Sequence, residues 1–241
     1  MSTTDPANPE PAPLEAEALE PQGLEAEPLE PTAFYQGLVA ELAERRKAVT
    51  PEAQSFGGER MMDGAELIEW VSFQAWYERE AASFIGAWLR DIPEEDAFYA
   101  LTRQVADEGR HHHLFHRHLQ ALGGSLDGWE PEPEWVEWIQ VFYPAGNDTL
   151  ERIAAHNITG ELGAVQAFET LLPRLPQATV AVLEKVMPDE EYHVGIGRSI
   201  VHRYCTTADA QRRVRERVFG AFELEQAGRV AFERRLAAVG A

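Results

Sequence analysis

Cysteine is nearly missing from this chain. Cys205 is the only one in 241 residues, which excludes an internal disulfide and any cluster or structural zinc site built on several thiolates. Metal ligands, where the chain has them, must be Glu, Asp and His. Long uninterrupted apolar runs are missing too: a charge breaks each one short of a bilayer's thickness, so neither a transmembrane helix nor a membrane partner is expected. The first residues, Met1-Ser2-Thr3-Thr4-Asp5-Pro6, carry neither a basic n-region nor an apolar h-region, and the expectation is a cytoplasmic protein without a secretory signal. Positive charge is scarce, and a net charge of -20 repels phosphate backbones and anionic lipid, so nucleic acid is not an expected partner. The densest basic stretch, Arg212, Arg213, Arg215 and Arg217, is followed by Glu223 and Glu225 and reads as a solvated helix face.

What is present falls into two textures. Residues 1–33 hold Asp5, seven glutamates and seven prolines with no Lys or Arg, and Leu14 to Pro21 (LEAEALEP) is nearly repeated at Leu24 to Pro31 (LEAEPLEP). That segment has no helical or strand period long enough to bury a face and reads as a disordered acidic tail. Residues 34–241 form the second texture, a helical domain without strand-like alternation. The expected elements are a short helix over 34–48, then a loop with Gly57 and Gly58. Long helices follow over about 63–92 (N-cap Asp63) and 94–122 (stopped by Gly123-Gly124). A Trp-rich crossover at 125–146 precedes helices over 148–172 and 177–205, the latter containing Pro188, which should kink or loosen it. A last amphipathic helix, 208–239, packs along the bundle or, in a homodimer, against a partner subunit. The fold class is all-α, a four-helix core over about 62–205 with ferritin-like connectivity, an N-terminal short helix and a fifth C-terminal helix.

The chemistry lies in a repeated motif. Asp107-Glu108-Gly109-Arg110-His111 recurs as Asp189-Glu190-Glu191-Tyr192-His193. On a helix, residues three apart lie about 60° apart round the axis, so each Glu-x-x-His aims a carboxylate and an imidazole at one point. Both motifs fall on apolar stripes: Leu101, Val105, Phe115 and Leu119 flank the first; Val182, Val186, Val194 and Val201 the second. Glu161 sits on a third stripe with Leu150, Ile153, Ile158 and Phe168, where a lone carboxylate is costly unless paired or bound to a cation. On the first long helix Glu78 and Glu80 both have apolar neighbours. Alignment of the two repeats places Glu78 over Glu161 and selects it, with Glu80 as the alternative. Four carboxylates carry -4, which two divalent cations balance in a dry core, and two neutral imidazoles complete the set.

One Glu from each of two helices and one Glu-x-x-His from each of two others is the pattern of the ferritin-like di-metal carboxylate superfamily, which residues 62–205 resemble. The resemblance implies that Glu78, Glu108 and His111 serve mainly one metal and Glu161, Glu190 and His193 the other. It also implies that Asp107 and Asp189 each hydrogen-bond a ligand histidine of the opposite motif. The implied cofactor is two Fe ions, with Mn/Fe as the alternative. The implied activity is an oxidoreductase, an oxidase or hydroxylase, whose partners are O2 or peroxide and a small-molecule substrate the sequence does not identify. A ferroxidase or iron store is the alternative within the superfamily, and a metal-free helical scaffold the alternative outside it. The lack of a four-cysteine module departs from rubrerythrins, and Phe115 stands where radical-storing reductase subunits place a tyrosine.

Other residues read more plainly. His113, His116 and His118 are expected at the surface, with His112 a possible extra ligand. His156 is read as a hydrogen-bonded core histidine, and His202 has no identifiable carboxylate partner. Tyr77, Tyr192 and Tyr204 are read as core aromatics with redox relay as the alternative, and the crossover tryptophans as covering for the bundle.

Overall fold

The structure, a computed structural model, describes residues 27–49 and 60–239, and among these every regular element is helical. Most of the acidic tail and the loop with Gly57 and Gly58 lie outside the described residues. The tail's last residues, although part of its repeat, lead directly into a helix. Helix α1 (Pro31–Ala48) starts three residues before the expected boundary, because Pro31 suits the first helical position and the Glu30 side chain accepts a hydrogen bond from the Ala33 amide. Leu29 just upstream is tied by its backbone N–H and C=O to the Gln211 side chain. Phe34, Leu38 and Leu42, four apart, bury one face of α1 against Val201, Cys205, Val214 and Val218.

Helix α2 (Gly64–Trp88) follows Asp63, which holds the N-cap position without a side-chain hydrogen bond. It ends in a 3-10 turn, Leu89–Asp91, before Pro93. Helix α3 (Glu95–Ala121) runs back along α2, as so short a connection requires. Its end is a Schellman motif: Gly123 takes φ +82°, the Gly124 N–H donates to Leu119 O at 2.9 Å and the Gly123 N–H to Gln120 O at 3.0 Å.

The crossover carries a helix of its own, α4 (residues 133–145): one α-turn, a π-helical stretch Val136–Phe142 and a 3-10 turn. Its Trp135 is buried, donates from Nε1 to Gly228 O at 2.9 Å and lies against Phe73, Trp129 and Phe232, so the tryptophans cover α2 and the last helix. Helix α5 (residues 149–171) is capped by Asp148, whose carboxylate accepts from Glu151 N. It is not one uniform helix: Ala154–Gly160 winds as a π-helix between α-helical ends Thr149–Ile153 and Glu161–Leu171. Helix α6 (Gln177–Tyr204) continues through Pro188.

Helix α7 (Ala208–Val239) packs along the π-helical stretch of α5 and along α4. Its basic stretch is less solvated than expected. Arg212 and Arg215 are exposed, but Arg213 pairs with Asp148 and Glu151 of α5, and Arg217 donates to Phe142 O and lies 3.9 Å above that ring. Asp148, Glu151 and the Phe142 carbonyl explain the difference, since helical spacing turns every third or fourth residue inward and brings Arg213 and Arg217 to these acceptors. No helix among the described residues is long and apolar enough to cross a membrane.

Candidate metal centre

Four helices send carboxylates to one buried point. Glu78 (α2), Glu108 (α3), Glu161 (α5) and Glu190 (α6) are each at most 2% exposed, and His111 and His193 are fully buried. One donor atom each from Glu78, Glu108, His111 and Glu190 lie within 4.8 Å of one another, as do donors from Glu108, Glu161 and His193. Glu108 belongs to both groups, so the two are contiguous. Glu80, the alternative on α2, is half-buried and contributes nothing to either.

The imidazoles share an orientation. Nδ1 of His111 faces inward, 3.1 Å from Glu190 Oε1, 3.4 Å from Glu108 Oε2 and 3.6 Å from Glu78 Oε2. Nδ1 of His193 lies 3.2 Å from Glu190 Oε2, 3.4 Å from Glu108 Oε1 and 3.7 Å from Glu161 Oε1. Each Nε2 faces outward to the aspartate of the other motif, His111 to Asp189 at 3.3 Å and His193 to Asp107 at 3.6 Å. Arg110 in turn pairs with both aspartates, and Arg103 lies 3.3 Å from Asp107 and 3.6 Å from Asp189. From surface to core the order is arginine, aspartate, imidazole, carboxylate.

So many carboxylates in a dry pocket shift one another strongly. Burial, reinforced by the charges of Glu190 and Glu108, pushes Glu78 and Glu161 well above the usual carboxylate range. Burial also acts on Glu108 and Glu190, but hydrogen bonds and charge from His111 and His193 hold both below it. For the imidazoles burial favours the neutral form, yet the facing carboxylates outweigh it and raise both His111 and His193. The raised carboxyls of Glu78 and Glu161 and the raised imidazoles of His111 and His193 all lean towards their protonated forms, the direction in which the cluster's negative charge is reduced.

The residues fit a metal pair. Glu78 Oε2 and His111 Nδ1 are buried without a hydrogen bond, as donor atoms left open for an ion would be. Carboxylate oxygen with imidazole nitrogen is the donor set for first-row divalent ions, and the imidazole Nδ1 atoms lie 3.1 to 3.7 Å from the facing carboxylate oxygens, a spacing that bonds of about 2.1–2.4 Å to a shared ion produce.

Two amides inside the cluster escape the motif pattern. Gln104 is fully buried; its Nε2 donates to Glu108 Oε1 at 2.9 Å and Glu161 Oε1 at 2.6 Å, and its Oε1 accepts from Asn157 Nδ2 at 2.8 Å. Asn157 also donates to His193 O. The available signal was spacing: Gln104 and Asn157 each precede an inward glutamate by four residues.

The remaining histidines divide. His113 is exposed and His116 partly so, but His118 is buried, with Nε2 2.9 Å from Thr179 Oγ1 of α6, contrary to the expected surface position. It lies seven residues, two turns, beyond His111 and so shares its inward face. His112 bonds Ala75 O at 2.7 Å and does not reach the cluster. Tyr204 bonds Asp96 and Tyr192 lies under Arg103, whereas Tyr77 is buried against His156. Phe115 is fully buried against Trp70. No protein-family model and no curated protein sequence matches the chain.

Proposed function

We propose that the chain is a di-iron carboxylate oxidoreductase of ferritin-like architecture, in which α2, α3, α5 and α6 form the four-helix bundle and O2 or peroxide is the oxidant. The observation that carries the reading is the convergence of four buried glutamates and two buried histidines from those helices, with unpaired donor atoms among them. Buried charge of this density costs several kcal/mol per uncompensated ion, and a scaffold has no use for it. Glu78, Glu108 and His111 would hold mainly one ion, and Glu161, Glu190 and His193 mainly the other, with Glu108 and Glu190 facing both imidazoles. The oxidising equivalents would come from O2 or peroxide, and the metal pair, when bound, would supply the redox chemistry that activates that oxidant.

The chain's own groups prepare the site. Asp189 and Asp107 accept from, or face, the Nε2 atoms, which selects the tautomer whose Nδ1 lone pair points into the cluster. Gln104 steadies Glu108 and Glu161 by donating to both. Full burial excludes bulk water from the carboxylates. A cavity of about 70 Å³ between α2, α4, α5 and α7 reaches Tyr77 and Gly160, the neighbours of Glu78 and Glu161, and is lined by Phe73, Trp138 and Phe168. Its apolar wall and size suit a small, weakly polar substrate or the oxidant itself.

Anaerobic Fe(II) titration of the full chain should stop at about two ions per chain, and admitting O2 should then bring up a near-ultraviolet charge-transfer band. Failure to bind iron in stoichiometric amounts would overturn the proposal. A large hollow assembly taking up many irons per chain would instead identify iron as the substrate, a ferroxidase or store.

A further inference from the structure

His156 belongs to no part of the repeated motif. It lies five residues before Glu161, and on a regular α-helix five residues amount to 500°, which leaves the two side chains about 140° apart. The π-helical winding of Ala154–Gly160 removes that separation, because i to i+5 hydrogen bonding stacks residues five apart. His156 Nδ1 consequently lies 3.3 Å from Glu161 Oε1.

The ring is fixed in that attitude. It is fully buried, with Phe84, Tyr143 and Trp88 edge-on at centroid distances of 5.0, 5.1 and 6.3 Å. Nε2 is 3.1 Å from the Tyr77 hydroxyl, while Nδ1 makes no hydrogen bond. Glu161 Oε1 accepts from Gln104 at 2.6 Å. An imidazole binds a metal ion through the lone pair of its neutral form, and the unpaired Nδ1 is the atom that faces Glu161. A separation of 3.3 Å is that of neighbouring ligands round one cation, since two bonds of about 2.1 Å at 90–109° put their donors about 3.0–3.4 Å apart.

We infer that His156 is a third histidine ligand, binding through Nδ1 the metal ion held by Glu161 and His193, with Nε2–H donating to the Tyr77 oxygen. The inference rests on the metal-pair reading. It makes the two ions unequal: one has His111 alone, the other His193 and His156. Because the ring is neutral, the charge balance of the cluster does not change.

The test is proton NMR, in H2O, of the full-length chain loaded with Co(II), which shifts the ring N–H of every bound histidine far outside the normal range. Three such signals are expected from the wild type. His156→Gln should remove one, weaken the second cobalt by about tenfold or more and leave the first unchanged. Two signals from a wild type that binds two cobalt ions would overturn the role of His156 and leave the metal pair standing, as would a His156→Gln protein with unaltered affinities. A wild type that binds no cobalt would overturn both. The wild-type count decides the matter even where the substituted protein does not fold.

Discussion

Metal binding to this cluster should expel protons. Four carboxylates in a dry pocket bring four negative charges, and such a pocket does not hold them uncompensated. The directions of the shifts say where the compensation sits: Glu78 and Glu161 are raised towards the acid form and His111 and His193 towards the imidazolium. Two divalent cations replace that charge one for one. Loading the apoprotein should therefore release protons, and the combined affinity for two ions should fall as the pH is lowered. Calorimetric titration with Co(II) in buffers of different ionisation enthalpy counts the protons directly. Release of no protons at full occupancy would show that the carboxylates are already ionised against something other than protons, and the electrostatic description of the pocket would be wrong.

Other expectations follow from particular contacts. Asp107→Asn and Asp189→Asn each remove the negative charge facing an outward imidazole Nε2 and should weaken metal binding about 10–100-fold with little loss of helix content, measured by competition with a chelating dye. Glu225 is buried between Arg229 and Arg46; burial alone would raise its carboxyl, but the two guanidinium groups hold it below its ordinary 4.5. Its contribution is therefore present above the unfolded value and lost as pH falls through the lower folded one, so urea denaturation below pH 4.5 should show a steeper loss in wild type than in Glu225→Gln, and equal slopes would refute it. Gly160→Ala would place a methyl 2.6 Å from the Tyr143 hydroxyl and 3.2 Å from that of Tyr77, a destabilisation of about 1–3 kcal/mol by chemical denaturation. Trp70→Ala, at a fully buried ring between Phe115 and Phe168, should cost about 3–5 kcal/mol in the same assay.

Much of this was legible in the residues. Period-3.6 stripes and their punctuation by Pro and Gly place the helices to within a few residues, because α-helical geometry repeats identically wherever it occurs. The inward position of Glu108, His111, Glu190 and His193 follows from the same repeat. What the period hides is any departure from it. His156 reads as a core residue on an α-helical wheel and becomes a neighbour of Glu161 only through the π-helical stretch, which no residue type announces. Gln104 is invisible for another reason: an amide is ordinary on a helix surface, and only its depth among carboxylates gives it a role. Arg213 and Arg217 depend on acceptors distant in sequence, which a one-dimensional charge run cannot supply.

The crossed aspartate–histidine contacts have a mechanical side. Asp107 of α3 faces His193 of α6, and Asp189 of α6 faces His111 of α3, with Arg110 touching both aspartates. The two helices are therefore meshed like a pair of gear teeth, so that sliding or rolling one past the other disengages both contacts together. Neither half of the pocket can loosen while its counterpart stays in gear, and opening at this seam is a single all-or-none movement rather than two independent ones.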